Sequence, residues 1–329
     1  MSKTTRLTLA LAALTAFAIL LHIITGPSPL PFGEEIATLF GGGSDISRAI
    51  VLEVRLPRAL MAALVGIALA LSGAGLQGLL RNPLADPGIL GISGFASLGA
   101  VFAFSSGLAA SWALWPPVLA LLFAGVAAAA MVGLAWRVEG AGVLILIGVG
   151  LSSFSSGLVA LALNLAKSPT ALSDLVNWTL GAVANRGMED VQLAAIPIAI
   201  GAVLLFASAP GLRALTLGED GAMAIGANVR LTRLLVVLGS AFAAGAAAAF
   251  AGAIGFVGVA SAHLVRKACD NDPGKILAPA AFAGASILVF ADLLVRLLPT
   301  QAELRLGVAA ALIGGPAFAL IAARLWRRT

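Results

Sequence analysis

The sequence has no tyrosine, one cysteine and two histidines, and only 11% of its residues are charged. Each shortage excludes something. The single cysteine, Cys269, cannot close an intrachain disulfide, and nothing near it suggests a metal site. His22 and His263 lie far apart, and there is no HExxH, CxxC or GxSxG. The nearest approach to a phosphate loop is CDNDPGKI at 269–276. It has Cys269 where the first glycine belongs and Ile276 where Ser or Thr belongs, so ATP hydrolysis by this chain is not expected. Without tyrosine, an interfacial aromatic belt would rest on Trp112, Trp115, Trp136, Trp178 and Trp326. So few charges could not cover the surface of a soluble domain of 329 residues.

What is present is apolar. The chain is 60% hydrophobic, with a mean hydropathy of +1.05. Runs of about 18–24 apolar residues are long enough to cross a hydrocarbon core of roughly 30 Å as helices. The sequence predicts an all-α polytopic membrane protein, a single domain over 1–329, with ten spans: 7–25, 59–80, 89–106, 113–136, 142–164, 191–209, 231–250, 252–267, 277–297 and 307–325. The stretches 89–106 and 252–267 are short and glycine-broken. The basic N-terminal run is read as an uncleaved first span, since no small-x-small site precedes Gly26. The 38 glycines suit close helix packing in lipid, where little hydrophobic drive acts between helices.

An even span count puts both ends on one side. The segments with the termini hold Lys3, Arg6, Arg81, Arg137, Arg213, Arg230, Arg233, Arg266, Lys267, Lys275, Arg324, Arg327 and Arg328, 13 in all. The other segments hold Arg48, Arg55, Arg58, Lys167, Arg186, Arg296 and Arg305, which is 7. The positive-inside rule then places both termini in the cytoplasm. A pI near 10.3 would also suit nucleic acid, but the basic residues scatter at span ends, so no nucleic-acid partner is expected.

Within the spans, ionisable groups are few. Asp292 and Arg296, four residues apart, are expected to pair. An ion-coupled carrier needs buried carboxylates along its path, and Asp292 is the one candidate, near a span end. A permease driven by a partner fits better than a secondary transporter. Three segments between spans carry pattern. Residues 26–58 and 165–190 are long enough for local structure. Residues 210–230 alternate as one or two small helices broken at Gly218 and Gly221. In RNPLADPGILGISG, at 81–94, Pro83 and Pro87 push Asn82 and Asp86 out of helix, so this reads as a turn with a glycine-eased re-entry.

Residues 55–100, RLPRALMAALVGIALALSGAGLQGLLRNPLADPGILGISGFASLGA, closely resemble the signature region of the FecCD-type (BtuC-like) permeases. GAIGFVGVASAHLVR at 252–266, the stretch 277–320 and LTLGEDGAMAIGANV at 215–229 are similar in order and spacing. The resemblance implies the type II ATP-binding-cassette (ABC) importer permease fold in the bacterial inner membrane. It implies two permease subunits, here expected as a homodimer, with the pathway between them. Two cytoplasmic ATP-binding cassette subunits and a periplasmic substrate-binding protein complete the assembly. The cargo it implies is a ferric siderophore first, with haem, cobalamin or molybdate as alternatives. No cofactor is implied.

The resemblance also assigns residues. Arg55, Arg58 and Arg296 would face acidic groups of the binding protein; read alone, they are interfacial arginines reaching headgroups. Leu217, Gly218, Glu219, Asp220, Gly221, Ala224 and Gly226 would form the ATPase coupling segment, with Gly221 and Gly226 allowing tight turns. Asn82 and Leu84 would form a cytoplasmic gate; read alone, their stretch is a packed turn. GAIGFVGVASAH is either a tight helix face or a broken segment lining the pathway. His263, near a span end, reads as structural. Two positions depart from the family pattern, Ala262 and Arg305, where proline is usual.

Overall fold

The computed structural model describes residues 1–28, 30–135, 141–166, 168–298 and 303–326. Trp136, Arg137, Lys167, Arg327 and Arg328 lie outside them. Every regular element among the described residues is helical. The ten longest-predicted stretches each contain a helix: α1 (Lys3–Ile24), α2 (Leu56–Leu80), α3 (Ile92–Ser105), α4 (Trp115–Ala135), α5 (Ala141–Asn164), α6 (Met188–Ala207), α7 (Val229–Ala251), α8 (Val257–Arg266), α9 (Pro273–Leu297) and α10 (Leu306–Trp326).

Seven of them, among the described residues, are long and apolar enough to cross a membrane: α1, α2, α4, α5, α6, α7 and α9. The 14-residue α3 and the stretch Leu306–Pro316 of α10 are shorter apolar helices. The expected span 252–267 is not one continuous helix. Residues 252–256 are non-helical, and the ten-residue α8 that follows rises only about 15 Å, half a hydrocarbon core.

The centre is α2, α7 and α9, buried over most of their lengths. Their contact surfaces are small residues, so the backbones come close. A Cβ on Gly66 would stand 2.4 Å from the carbonyl oxygen of Gly284, and one on Gly73 would stand 2.6 Å from the Cα of Gly258. Helices α1 and α5 lie at the periphery, and Leu146, Val149, Phe154 and Leu161 of α5 are exposed. One polar contact crosses the α1–α9 interface: Thr15 of α1 shares a 2.9 Å hydrogen bond with Ser286 of α9 and lies within hydrogen-bond reach of the Phe282 carbonyl.

The segments between helices fold locally, as their length suggested. At one end, helices at Phe32–Leu39 and Asp45–Arg48 and a π-helical turn at Ala49–Arg55 lead into α2. A helix at Pro169–Thr179 lies at the same end. The end carrying Lys3, Arg81 and 209–228 is called the basic end below.

Candidate functional site

At the end opposite the basic one, the three singled-out arginines surround one cavity of about 590 Å³ that Ser28, Val54 and Glu303 also line. They are not free charges. Arg55 is buried and donates to Glu35 Oε1 at 2.7 Å and to the carbonyls of Ile23 and Ser28. Arg58 is buried and grips Asp292 with two bonds, Nε to Oδ2 at 2.7 Å and Nη2 to Oδ1 at 2.9 Å. The same Nη2 reaches Glu303. His22 Nε2 lies 2.8 Å from Asp292 Oδ2.

The expected Asp292–Arg296 pair is therefore not formed. Arg296 sits in the last turn of α9 and donates to the carbonyls of His22 and Thr25 at the end of α1, groups with no intrahelical partner. Asp292 faces α2 instead, where the planar fork of Arg58 matches both carboxylate oxygens. One turn along the helix was the nearer partner in sequence; the better geometry came from another helix. Sequence reasoning missed His22, Glu35 and Glu303 as partners, because only the packing of α1 and the 26–55 segment brings them there.

At the basic end, residues 209–228 form a compact module. Helix Ala209–Ala214 runs into a 3₁₀ turn at Leu215–Leu217, and Gly218, at φ 90°, breaks the chain before helix Glu219–Ala224. Glu219 and Asp220 fall in its first turn, where the helix dipole favours acids. Glu219 also meets Arg233 of α7 at 3.2 Å. The helix closes with a Schellman pair: Ala227 N–H donates to the Ala222 carbonyl, and Gly226 N–H to that of Met223. Gly226, at φ 83°, provides the left-handed turn. Gly221 is not a break, as expected, but lies inside the helix. Ala222 is fully buried against the bundle, whereas Leu217, Met223 and Ile225 are more than half exposed and Ala224 is exposed. A six-residue helix is thus anchored by one face and presents an apolar patch on the other.

Next to that module, 81–91 repeats one device twice. Asn82 Oδ1 accepts the N–H of Leu84 at 2.9 Å, and Asp86 Oδ1 accepts that of Gly88 at 2.9 Å, each across a proline. Asn82 and Leu84 are half-buried. Ser152 of α5 donates to the Gly88 carbonyl, so the loop is tied to a peripheral helix. Burial raises the Asp86 carboxyl to about 6, against the lowering effect of its bond from Gly88.

GAIGFVGVASAH is broken in its first part and packed as a helix in its second. Residues 252–256 are a broken segment in which Ala253 and Gly255 are exposed; Gly258 packs against α2. Gly252 adopts φ 71°, and a Cβ there would stand 2.3 Å from the Trp178 carbonyl. Ala182 N–H donates to the Ala251 carbonyl at 2.7 Å, and Gly307 N–H to that of Gly181 at 3.1 Å. Three distant chain segments are tied there backbone to backbone. Ala262 is fully buried inside α8, His263 lies half-buried in its last turn, and Arg305 donates to Asn177 Oδ1 at 2.8 Å. Among the described residues no group of three His, Cys, Asp or Glu could hold a metal ion.

Compared with known proteins, residues 14–324 match the FecCD transport family. The hemin transport system permease protein HmuU of Yersinia pestis is 34% identical over 279 residues, 84% of this chain and 83% of that protein. The vitamin B12 import system permease protein BtuC of Salmonella typhi is 34% identical over 320 residues, 96% of this chain and 94% of that protein. A chain solved in an inward-facing conformation, from a metal-chelate type ABC transporter, superposes with a TM-score of 0.86 at 27% identity, covering 97% of this chain and 99% of that one.

Proposed function

The chain belongs to the FecCD transport family, and from that premise we propose that it is the permease subunit of an ABC importer that carries a metal chelate, a ferric siderophore first, from periplasm to cytoplasm. The observation that supports it most is the module at 217–226. An exposed apolar patch of Leu217, Met223 and Ile225, on and beside the anchored helix Glu219–Ala224, offers a docking surface. In this reading the occupant is an ATP-binding cassette subunit, and ATP is hydrolysed there. The basic end then faces the cytoplasm with both termini, and the ten helical stretches are the ten spans, some of them re-entrant or short.

At the periplasmic end, Arg55, Arg58 and Arg296 are the proposed docking residues for the binding protein. Since Arg55 and Arg58 already hold carboxylates, an acidic partner would exchange with them. Glu303, whose side chain is 41% exposed, is the exchangeable one; Asp292, at 2%, is not. Asn82 and Leu84 are the proposed inner gate. Two copies of the chain would enclose the pathway and open it to one side at a time as ATP is bound and hydrolysed. An ion-coupled carrier is disfavoured, because its one candidate carboxylate, Asp292, is held by Arg58 and His22.

Haem or cobalamin as cargo is the second reading, favoured by the relatives named for hemin and vitamin B12; molybdate remains an alternative. The test is reconstitution with the cognate ATPase and binding protein in proteoliposomes. ATP-dependent uptake of a ferric siderophore is the expected result. Failure to co-purify with any ATPase, or uptake that runs on an ion gradient alone, would overturn the proposal.

A further inference from the structure

A second cavity, of about 260 Å³, lies at the same end as the docking arginines but between different elements. Its walls include Asp174, Asn177 and Trp178 of the helix Pro169–Thr179, Arg186, Gly252 and Arg305. Its floor is the backbone tie of 180–182, 251–253 and Gly307 described above, so the site stands on a rigid base. The Arg186 guanidinium lies over the Trp178 ring, 5.1 Å from its centroid, a stacking that suits a weakly hydrated planar cation.

What sets Arg186 apart, among the described residues, is that no oxygen acceptor meets its guanidinium. Among the described residues it forms no ion pair. The acid that acts on it, Asp190, spends a carboxylate oxygen on the N–H of Gly187 at 3.0 Å. Among the described residues, Arg186 Nε and Trp178 Nε1 are both buried without a hydrogen-bond partner. Every other buried guanidinium at this end has oxygen acceptors: Arg55 and Arg58 have carboxylates and Arg296 has two carbonyls. Burial, only partly offset by the charge of Asp190, also pushes the Arg186 guanidinium below its usual range. Arg305, steadied by Asn177, adds a second cation to the wall, which also carries the exposed Asp174.

A desolvated cation with idle N–H donors has the chemistry that binds an oxyanion. At about 260 Å³ the cavity lies below the usual range for a whole small-molecule ligand, so it admits one acidic arm rather than a complete chelate. We propose that Arg186, stacked on Trp178, and Arg305 form an oxyanion subsite that takes one carboxylate arm of an anionic chelate. The proposal rests on the transport reading above and narrows its cargo to chelates carrying free acid groups. A lipid headgroup phosphate offers the same chemistry, and the test separates the two.

The full chain, in nanodiscs of phosphatidylcholine, is titrated with citrate while tryptophan fluorescence is followed. A saturable change is expected that Trp178→Phe removes and that Arg186→Gln and Arg305→Gln each weaken about tenfold, one charge-assisted contact. Arg186→Lys should recover part of it, and size-exclusion profiles show that each variant is folded. An unchanged titration in both glutamine variants, or no response to citrate in the wild type, overturns the subsite. If phosphatidylglycerol in the disc produces the change and blocks citrate, the occupant is a headgroup and the chelate assignment falls. ATP-driven chelate uptake with the same KM in wild type and Arg186→Gln would sink the subsite and leave the transport reading standing. Citrate binding in a chain that imports no chelate would sink the transport reading, and the carboxylate-arm proposal with it.

Discussion

Replacing Asp292 by asparagine puts a number on the network at the end of α2 and α9. The carboxylate is 2% exposed and takes part in three hydrogen bonds, two from Arg58 and one with His22. Asparagine keeps the volume and one oxygen. It removes the charge and turns an NH₂ group toward donors. Breaking one partner of a buried ion pair costs about 3–5 kcal/mol. Counted instead as interhelical hydrogen bonds in a bilayer, at about 0.6 and at most about 1.7 kcal/mol each, three bonds give roughly 2–5 kcal/mol. Glu303 remains as a counter-charge to Arg58 but is 41% exposed, so it recovers less than about 1 kcal/mol. The expected cost of Asp292→Asn is therefore about 3 kcal/mol, and of Glu303→Gln under about 1 kcal/mol. A double variant, Arg58→Met with Asp292→Leu, should cost less than the sum of the two single changes, since no buried charge is left alone; what remains is the buried His22 imidazole deprived of its partner, about 1–3 kcal/mol. Equilibrium unfolding in mixed micelles with increasing SDS, read as a double-mutant cycle, gives these values. A cost below about 1 kcal/mol for Asp292→Asn, or strict additivity with Arg58→Met, would refute the reasoning.

Met223→Asp should abolish co-purification with an ATPase yet change the unfolding free energy by no more than about 0.5 kcal/mol, since the residue is exposed; a misfolded variant would contradict the view of the module as anchored through Ala222. Gly252→Ala meets both a left-handed φ of 71° and a carbonyl 2.3 Å away, so a loss of more than about 2 kcal/mol is expected in a thermal melt, and a neutral result would remove the backbone tie from the account. Asp86, raised to about 6, binds its proton more tightly in the folded chain than in the unfolded one. Stability should then fall as pH rises from about 4 to about 6 and stay lower above that, by up to about 3 kcal/mol. Asp86→Asn should flatten this slope, and a melt series from pH 4 to 8 in which the wild type gains stability with rising pH would rule the assignment out.

Helix positions were legible in the sequence because lipid imposes a simple rule: each predicted apolar stretch contains a helix, and among the described residues seven of these are long and apolar enough to span. The failure at 252–267 is instructive. Gly252 and Gly255 are apolar enough to score as span, yet glycine carries no helix preference, and the chain there spends five residues out of helix. Turn chemistry in 81–91 was legible for a local reason, since Asn-Pro and Asp-Pro each fix their own bend. The ionic partners were not, because they depend on which helices touch. Sequence distance favoured Arg296 for Asp292, and only the packing of α1, α2 and α9 brings His22 and Arg58 to it. The carboxylate partner of Arg55 was likewise not legible. Glu35 lies on a helix that folds back over the end of α2, and nothing in the spacing announced that.

The His22–Asp292 contact joins residues 270 apart. At about 5–20 residues per second, a ribosome needs roughly 14–54 s to travel from one to the other. During that interval α1 and α2 are already in the bilayer, and His22 and Arg58 wait there without the carboxylate that will hold them. Arg58 lies within the first turn of α2, close enough to the membrane surface to borrow headgroup phosphates in the meantime. The helix made first is among the last to be locked, so chains truncated before residue 292 should leave α1 loosely held and open to membrane proteases.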